Sequence, residues 1–379
     1  MGDRRDIATC RAPAAGCRGA LLFAAGLAAL AGLHLAAPKA KADRGPQLRG
    51  VMLTPNWEWP APHGATDAQM LAEVNAACGL GATAVRFMVK WSHLEPARRT
   101  MDPGYAARVD RVLGAAQACG MKSIVTLLLT PCWAGSKHEP CTPRIEIEPP
   151  RKASLYAGAT RRVLRRWGDR MVALEVWNEP NEELFWRGSA RDYVRIVKAA
   201  GRAAARMNSG VKILAGAMAG PDRAFLKKMY KHDVRWHDGI SIHPYNVKTA
   251  GASTGFSDPT LAGKAAASGS TAFRLGVPMI RRTMRRNKDG RKGIWLTEFG
   301  FAACPALGHC VSEATQAEWI TKSFQIAAGW RYVRGLTLFS LRDQSNSADW
   351  HQRFGLLRHN FSARPSYPAV GSTLAALPP

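Results

Sequence analysis

The sequence predicts an α/β protein of the (β/α)8 TIM barrel class. Three observations lead there. After residue 46, short apolar strand-like runs alternate with helix-like segments to the end of the chain. The runs lack the polar–apolar alternation of a half-exposed sheet, which suits parallel strands buried on both faces. Eight such units fit in about 330 residues, within the range of such barrels. An open doubly wound sheet is the rival, but no G-x-G-x-x-G follows any strand.

The units read in order. A strand near Gly50 leads to a helix opened by Thr66-Asp67-Ala68-Gln69, a capping box, and closed at Gly79. The second strand begins near Ala84 and contains Val85-Arg86-Phe87; its helix ends at Gly120. The third begins near Ser123. The fourth, near Val172, leads to a helix closed at Gly210, and the fifth and sixth start near Ile213 and Ile240. The seventh starts near Ile294, and Thr315-Gln316-Ala317-Glu318 resembles the capping box of its helix; the eighth starts near Leu336. With no Pro/Ser-rich linker or low-complexity tract, one catalytic-sized domain over 46–379 is the simplest division.

The first 42 residues are of another kind. Arg4, Arg5, Arg11 and Arg18 precede an apolar run from Ala20 to Ala37, and Ala40-Lys41-Ala42 follows. A basic stretch, an apolar stretch and an A-x-A site describe a secretory signal peptide, residues 1–42. A secreted or cell-envelope protein is expected; membrane association follows only if the leader stays uncleaved.

Export makes disulfides possible for the six cysteines beyond the leader. Short spacing favours Cys132–Cys141 and Cys304–Cys310. Cys78 and Cys119 each precede a helix-ending glycine in successive units and could meet across adjacent helices. No C-x-x-C or His/Cys spacing suggests zinc, so neither a metal nor a cofactor is expected.

The formal net charge is +25; six basic and two acidic residues of the leader leave +21 for the remainder. Much of it lies in helical segments, as at Arg161, Arg162, Arg165 and Arg166 and at Arg281, Arg282, Arg285 and Arg286. A solvated surface accounts for this, and attraction to an anionic cell wall or polysaccharide is the sharper reading. Nucleic acid is not expected, because no aromatic–basic interleaving or recognition helix accompanies the charge.

In a (β/α)8 barrel the carboxyl ends of the strands build the site. Here those ends are polar and aromatic: Asn56, Trp57, Arg86, Thr130, Trp133, Asn178, Glu179, Met218, His243, Tyr245, Glu298, Phe339, Arg342 and Asp343. Two carboxylates stand out. Glu179 ends Trp177-Asn178-Glu179 before Pro180, which turns the chain and places Glu179 at the rim. Its aromatic neighbours disfavour the ionised form, as a general acid requires. Glu298 follows Trp295-Leu296-Thr297, and Arg86 and Tyr245 could stabilise it as an anion. Such a pair, one protonated and one ionised, suits glycosidic bond cleavage.

Trp177-Asn178-Glu179-Pro180-Asn181 and Thr297-Glu298-Phe299-Gly300 resemble the acid/base and nucleophile segments of clan A glycoside hydrolases. Trp91-Ser92-His93-Leu94-Glu95-Pro96 resembles the clan's second βα loop, and Phe354-Gly355-Leu356-Leu357 its closing segment. Within the clan the chain looks closest to glycoside hydrolase family 39 or family 5-like cellulase domains. The resemblance implies a retaining β-glycosidase with a carbohydrate substrate. Glu179 and Glu298 would be catalytic, and Arg86, Asn178, His243 and Tyr245 would take the clan's active-site positions. One departure is Phe339, where many members carry a tryptophan platform after the eighth strand. Trp57, Trp133 and Trp186 are further candidates to bind a sugar face. A transglycosylase would use the same residues, while a catalytically inactive carbohydrate-binding barrel would have lost Glu179 or Glu298, and both are present.

Overall fold

A computed structural model describes residues 46–54, 65–135, 142–250, 253–261, 272–305 and 308–377. The leader, Asn56, Trp57 and Cys141 lie outside the described residues. No helix among the described residues is long and apolar enough to cross a membrane.

Eight parallel strands close into a barrel. They are β1 (Leu48–Met52), β2 (Ala84–Lys90), β3 (Lys122–Leu128), β4 (Met171–Val176), β5 (Lys212–Ala219), β6 (Gly239–His243), β9 (Gly293–Leu296) and β10 (Val333–Leu338). Each starts within three residues of the expected position. β10 pairs back onto β1 with Leu48 opposite Gly335, which leaves the barrel no edge.

The helices of the outer ring follow the same units. α1 (Asp67–Gly79) follows β1; α2 (Trp91–Leu94) and α3 (Pro103–Ala118) follow β2; α4 (Pro143–Glu146) and α5 (Ala153–Trp167) follow β3. α6 (Ala190–Met207), α7 (Arg223–Lys231), α8 (Val277–Arg286), α9 (Glu313–Ala328) and α10 (Ser366–Ala376) complete it. Thr66 does cap α1 in a full capping box with Gln69. The expected start of α9 is corrected: the Ser312 hydroxyl caps the Thr315 amide, so Thr315 already lies inside the helix. One element had no counterpart in the sequence reading. β7 (Val247–Ala250) and β8 (Ser253–Phe256) form an antiparallel hairpin outside the barrel, after β6.

Successive strand residues face alternately into and out of the barrel. The lower interior is a small apolar cluster of Ile124, Ala173, Leu214 and Trp295. The Trp295 indole fills space that flanking strands leave open: a Cβ added at Gly239 or Gly335 would meet its ring at 2.7 Å. Two residues beyond three of these four the interior turns polar. Thr126 follows Ile124, Glu175 follows Ala173, Thr297 follows Trp295, and all three are buried. The barrel thus carries an ion-pair layer between its apolar floor and its mouth.

Cys78, near the end of α1, is bonded to Cys119 at the end of α3, with 5.9 Å between Cα atoms. Cys304 is bonded to Cys310. The expected Cys132–Cys141 bridge involves a residue outside the described ones.

Candidate active site

Glu179 and Glu298 meet at the carboxyl end of the barrel. One oxygen of each and a ring nitrogen of His243 all lie within 4.8 Å of one another. Glu298 follows β9 and Glu179 follows β4, so the two come from nearly opposite walls.

Local backbone explains how Glu179 is aimed. The register of β5 against β6 shifts between Ala215 and Met218, a bulge that frees the Ala217 carbonyl. That carbonyl accepts the Glu179 amide at 2.8 Å. Gly216 has φ +126°, and a Cβ there would strike the Ser241 carbonyl at 2.3 Å, so only glycine fits. Tyr193 of α6 pins the bulge: its hydroxyl donates to the Val176 carbonyl and accepts the Gly216 amide. Asn181 closes the far side through paired bonds with the Ala219 backbone at 2.9 and 3.0 Å. Trp177 and Glu179 take left-handed φ values of +69° and +44°.

Charge is organised around Arg86, which is fully buried. Its Nη1 donates to Glu298 Oε1 at 2.6 Å, while Nε and Nη2 both donate to Glu175 Oε2, at 2.9 and 2.7 Å. Nη2 also donates to Asn178 Oδ1 at 3.1 Å. The Tyr245 hydroxyl donates to the other Glu298 oxygen at 2.8 Å. Both Glu298 oxygens are therefore held, one by a cation and one by a phenol. Burial weakens the Arg86 proton's hold, but Glu175 and Glu298 outweigh it and leave its pKa raised.

His243 bridges the pair: its Nδ1 lies 2.8 Å from Glu179 and 3.7 Å from Glu298. Burial pushes the ring pKa down, yet Glu298 and then Glu179 push it up further, against Arg86, and the net shift is upward. For Tyr245, burial and then Glu298 push the phenol well above its usual value.

The family model for cellulase, glycosyl hydrolase family 5, matches residues 37–332. The chain belongs to glycosyl hydrolase family 5. It is a glycoside hydrolase by that membership. Its fold is shared with solved enzymes of low sequence identity. A family 39 glycoside hydrolase from the gut symbiont Bacteroides cellulosilyticus WH2 superposes with a TM-score of 0.66 at 21% identity, over 90% of this chain and 66% of that one. This chain thus spans about two thirds of that protein's length. A monomeric β-xylosidase from Caulobacter crescentus CB15 gives 0.64 at 19% identity, over 88% of this chain and 68% of that one. An endo-β-1,4-glucanase from Xanthomonas axonopodis pv. citri gives 0.60 at 15% identity, over 86% and 98%. No curated protein matches in sequence.

In this family 5 chain the structure brings Arg86, Asn178, Glu179, His243, Tyr245 and Glu298 together. Phe339 follows β10 and sits edge-on to Tyr245 at 6.2 Å and to Phe354 at 5.2 Å, half-buried beside the Glu298 partner. The tryptophans fare differently. Trp186 is corrected: its ring is 3% exposed, packed edge-on against Trp177 at 4.8 Å, with its N–H donated to Ser189 O, so it fastens the loop before α6. Trp133 is half-buried, edge-on to Trp91 at 5.6 Å, and its N–H is donated to Glu95 O. That contact secures the third loop to the second. Two other rim residues are also committed to structure. Arg342 pairs with buried Glu73 at 2.7 Å, and Asp343 pairs with Arg364 at 2.7 Å.

Glu175 was not singled out in the sequence. Burial pushes its carboxyl up, but Arg86, then His243, and the Ser241 and Thr297 hydroxyls more than offset that, and the net shift is downward. The available signal was a lone acid inside the apolar strand Met171–Val176.

Glu179, His243 and Glu298 have the donor atoms and proximity for a metal ion. The chemistry of their surroundings does not suit one. Glu298 already holds a guanidinium and a phenol, and a divalent ion would be forced against Arg86.

Proposed function

We propose that this chain is an exported, retaining β-glycosidase that hydrolyses O-glycosidic bonds in a polysaccharide or oligosaccharide by double displacement. The glutamate pair carries the reading. A separation within 4.8 Å between one oxygen of each is close to the spacing of about 5–5.5 Å at which the second carboxylate acts as nucleophile. An inverting enzyme needs roughly 6.5–9.5 Å to hold a water between them.

Glu298 is the nucleophile. Arg86 and Tyr245 stabilise it as an anion and fix both its oxygens, so its attack on the anomeric carbon needs little reorganisation. Glu179 is the acid/base. It donates a proton to the departing oxygen, leaving a glycosyl ester on Glu298. It then takes a proton from the water that hydrolyses that ester. His243 positions the Glu179 carboxyl. Asn178, its carbonyl held by Arg86, turns its amide donors toward the sugar hydroxyl beside the reacting carbon. The similarity of fold to a β-xylosidase and an endo-β-1,4-glucanase supports a β-linked substrate. The leader supports export, and N-terminal sequencing of protein from the medium should begin near Asp43.

The mechanism is tested by two variants. Glu298→Ala should abolish turnover of every substrate. Glu179→Ala should cripple substrates with poor leaving groups yet spare the first step with an activated phenol. Azide, which needs no base, should then restore turnover. Early product seen by proton NMR should keep the substrate's anomeric configuration. An inverted product, or equal losses without azide rescue, would overturn the assignment.

A further inference from the structure

The outer wall of the barrel carries a groove of about 520 Å³ between α5 and α6, away from the glutamates. Its walls are basic. Arg191, Arg195, Lys198, Arg202 and Arg206 recur every three or four residues along α6, so they form one stripe on one helix face. Arg161 of α5 faces them across the groove. The stripe covers 16 residues of helix, roughly 22 Å from first to last at the α-helical rise. Among the described residues, no carboxylate lines the groove. Two flanking acids partly neutralise it: Asp192 pairs with Arg195 at 3.2 Å and Asp233 with Lys198 at 3.1 Å. Among the described residues, no acid pairs with Arg161, Arg191, Arg202 or Arg206. The floor is built of small side chains: Ala157 of α5 and Ala199 and Ala203 of α6. Beside it lies Trp236, 48% exposed, with the Arg202 guanidinium 5.9 Å above its ring.

We infer that this groove is a second carbohydrate site, distinct from the catalytic one, for an acidic polysaccharide. The inference takes its carbohydrate class from the glycosidase reading. A shallow apolar floor accommodates the C–H face of sugar rings. The guanidiniums of Arg191, Arg202 and Arg206, with Arg161 opposite, have no acidic partner and suit the carboxylates of such a chain, because each presents a planar pair of donors. An exposed indole at the margin adds a platform for one more ring. Single-stranded nucleic acid is the less suited polyanion, since it requires aromatic rings along the groove for successive bases, and among the described residues His232 is the one ring that lines it. By capturing an acidic chain here, the enzyme would stay attached to its polymer while the mouth of the barrel acts on a neighbouring stretch.

The test measures binding of the full mature chain to polygalacturonate, xylan and single-stranded DNA at low and high salt. Binding is read without turnover, so its failure is distinct from failure of the glycosidase reading. One variant carries Arg191→Ser, Arg202→Ser and Arg206→Ser, all exposed positions of α6. A control carries Arg282→Ser, Arg285→Ser and Arg286→Ser, exposed positions of α8 with the same change in charge. Polygalacturonate affinity should fall roughly tenfold or more in the α6 variant, about 1.4 kcal/mol. It should fall less than about threefold in the control, and hydrolysis of a small aryl glycoside should be unchanged in both. Salt should weaken binding of the parent and flatten the difference between variants. Equal losses in the two variants would reduce the effect to net charge and overturn the site. So would absence of polygalacturonate binding by the parent, or tighter binding of DNA through the same arginines.

Discussion

Replacing Glu175 by glutamine should destabilise the protein and slow it together. The carboxylate is fully buried, and its Oε2 accepts three bonds: two from Arg86 and one from Thr126 at 2.8 Å. Glutamine keeps the shape and one acceptor but removes the charge. Arg86, itself without exposure, is then left with Glu298 as its remaining anion. Removing one partner of a buried pair costs about 3–5 kcal/mol, and the retained acceptor places this case near the lower end. About 3 kcal/mol corresponds to a fall of roughly 6 °C or more in Tm. Arg86 would also swing off the line that Glu175 imposes, and misplacement of a positioning group lowers kcat, here by roughly tenfold. The linkage has a definite sign. Glu175 has a lowered pKa in the folded state, so its contribution is present above the unfolded value of about 4.3 and disappears as pH falls through the lower folded value. The gap between wild type and Glu175→Gln should therefore hold from neutral pH to about 4.5 and shrink below that. Urea unfolding across pH, with kcat on an aryl glycoside, measures all three effects. A loss under about 1 kcal/mol with normal kcat, or a gap that widens on acidification, would refute the role of the Arg86–Glu175 pair.

Three further outcomes are expected. Gly335→Ala pushes a methyl to 2.7 Å from the Trp295 ring and should cost about 1–3 kcal/mol by urea titration, with kcat/KM little changed. Replacing Cys78 and Cys119 by serine opens a bridge spanning 41 residues and should cost about 4 kcal/mol on the chain-entropy model, read from thermal melts with and without reductant. His243 has a raised pKa in the folded state, so the stability of its charged form is complete below the unfolded value of about 6.5 and is lost as pH rises through the folded value; His243→Asn should remove that alkaline decline from unfolding curves.

Most of the barrel was legible because its strands are buried on both faces. A continuous apolar run such as Ile213–Ala219 has few other homes in an α/β chain, and eight strand-length segments of mainly apolar residues leave little topological choice. The β7–β8 hairpin was not legible for the converse reason. Its strands, VKTA and STGF, carry lysine, threonine, serine and glycine and have no apolar run to mark them. At the site, strand-end position located Glu179, His243 and Glu298, because chain direction alone puts them at one mouth. It misplaced Trp186, since an indole after a strand serves equally to line a pocket or to seal a loop, and here Trp177 and Tyr193 offer it an aromatic bed. Glu175 escaped because an acid inside a strand reads as part of the strand. Its meaning comes from Arg86, 89 residues earlier, and only the closed barrel brings them face to face.

Trp177 and Glu179 sit on left-handed backbone on either side of Asn178. Residues with side chains occupy that region at a cost of roughly 1–3 kcal/mol each, and only surroundings that leave no alternative retain them. The Ala217 carbonyl, the Tyr193 hydroxyl and the Asn181 amide are those surroundings. Natural selection for folding alone would have little reason to keep glutamate at position 179, where glycine is the more comfortable occupant. The tension along this short stretch is therefore a record of use: the chain is less stable than it could be at the place where it works, and an idle descendant would be free to relax there first.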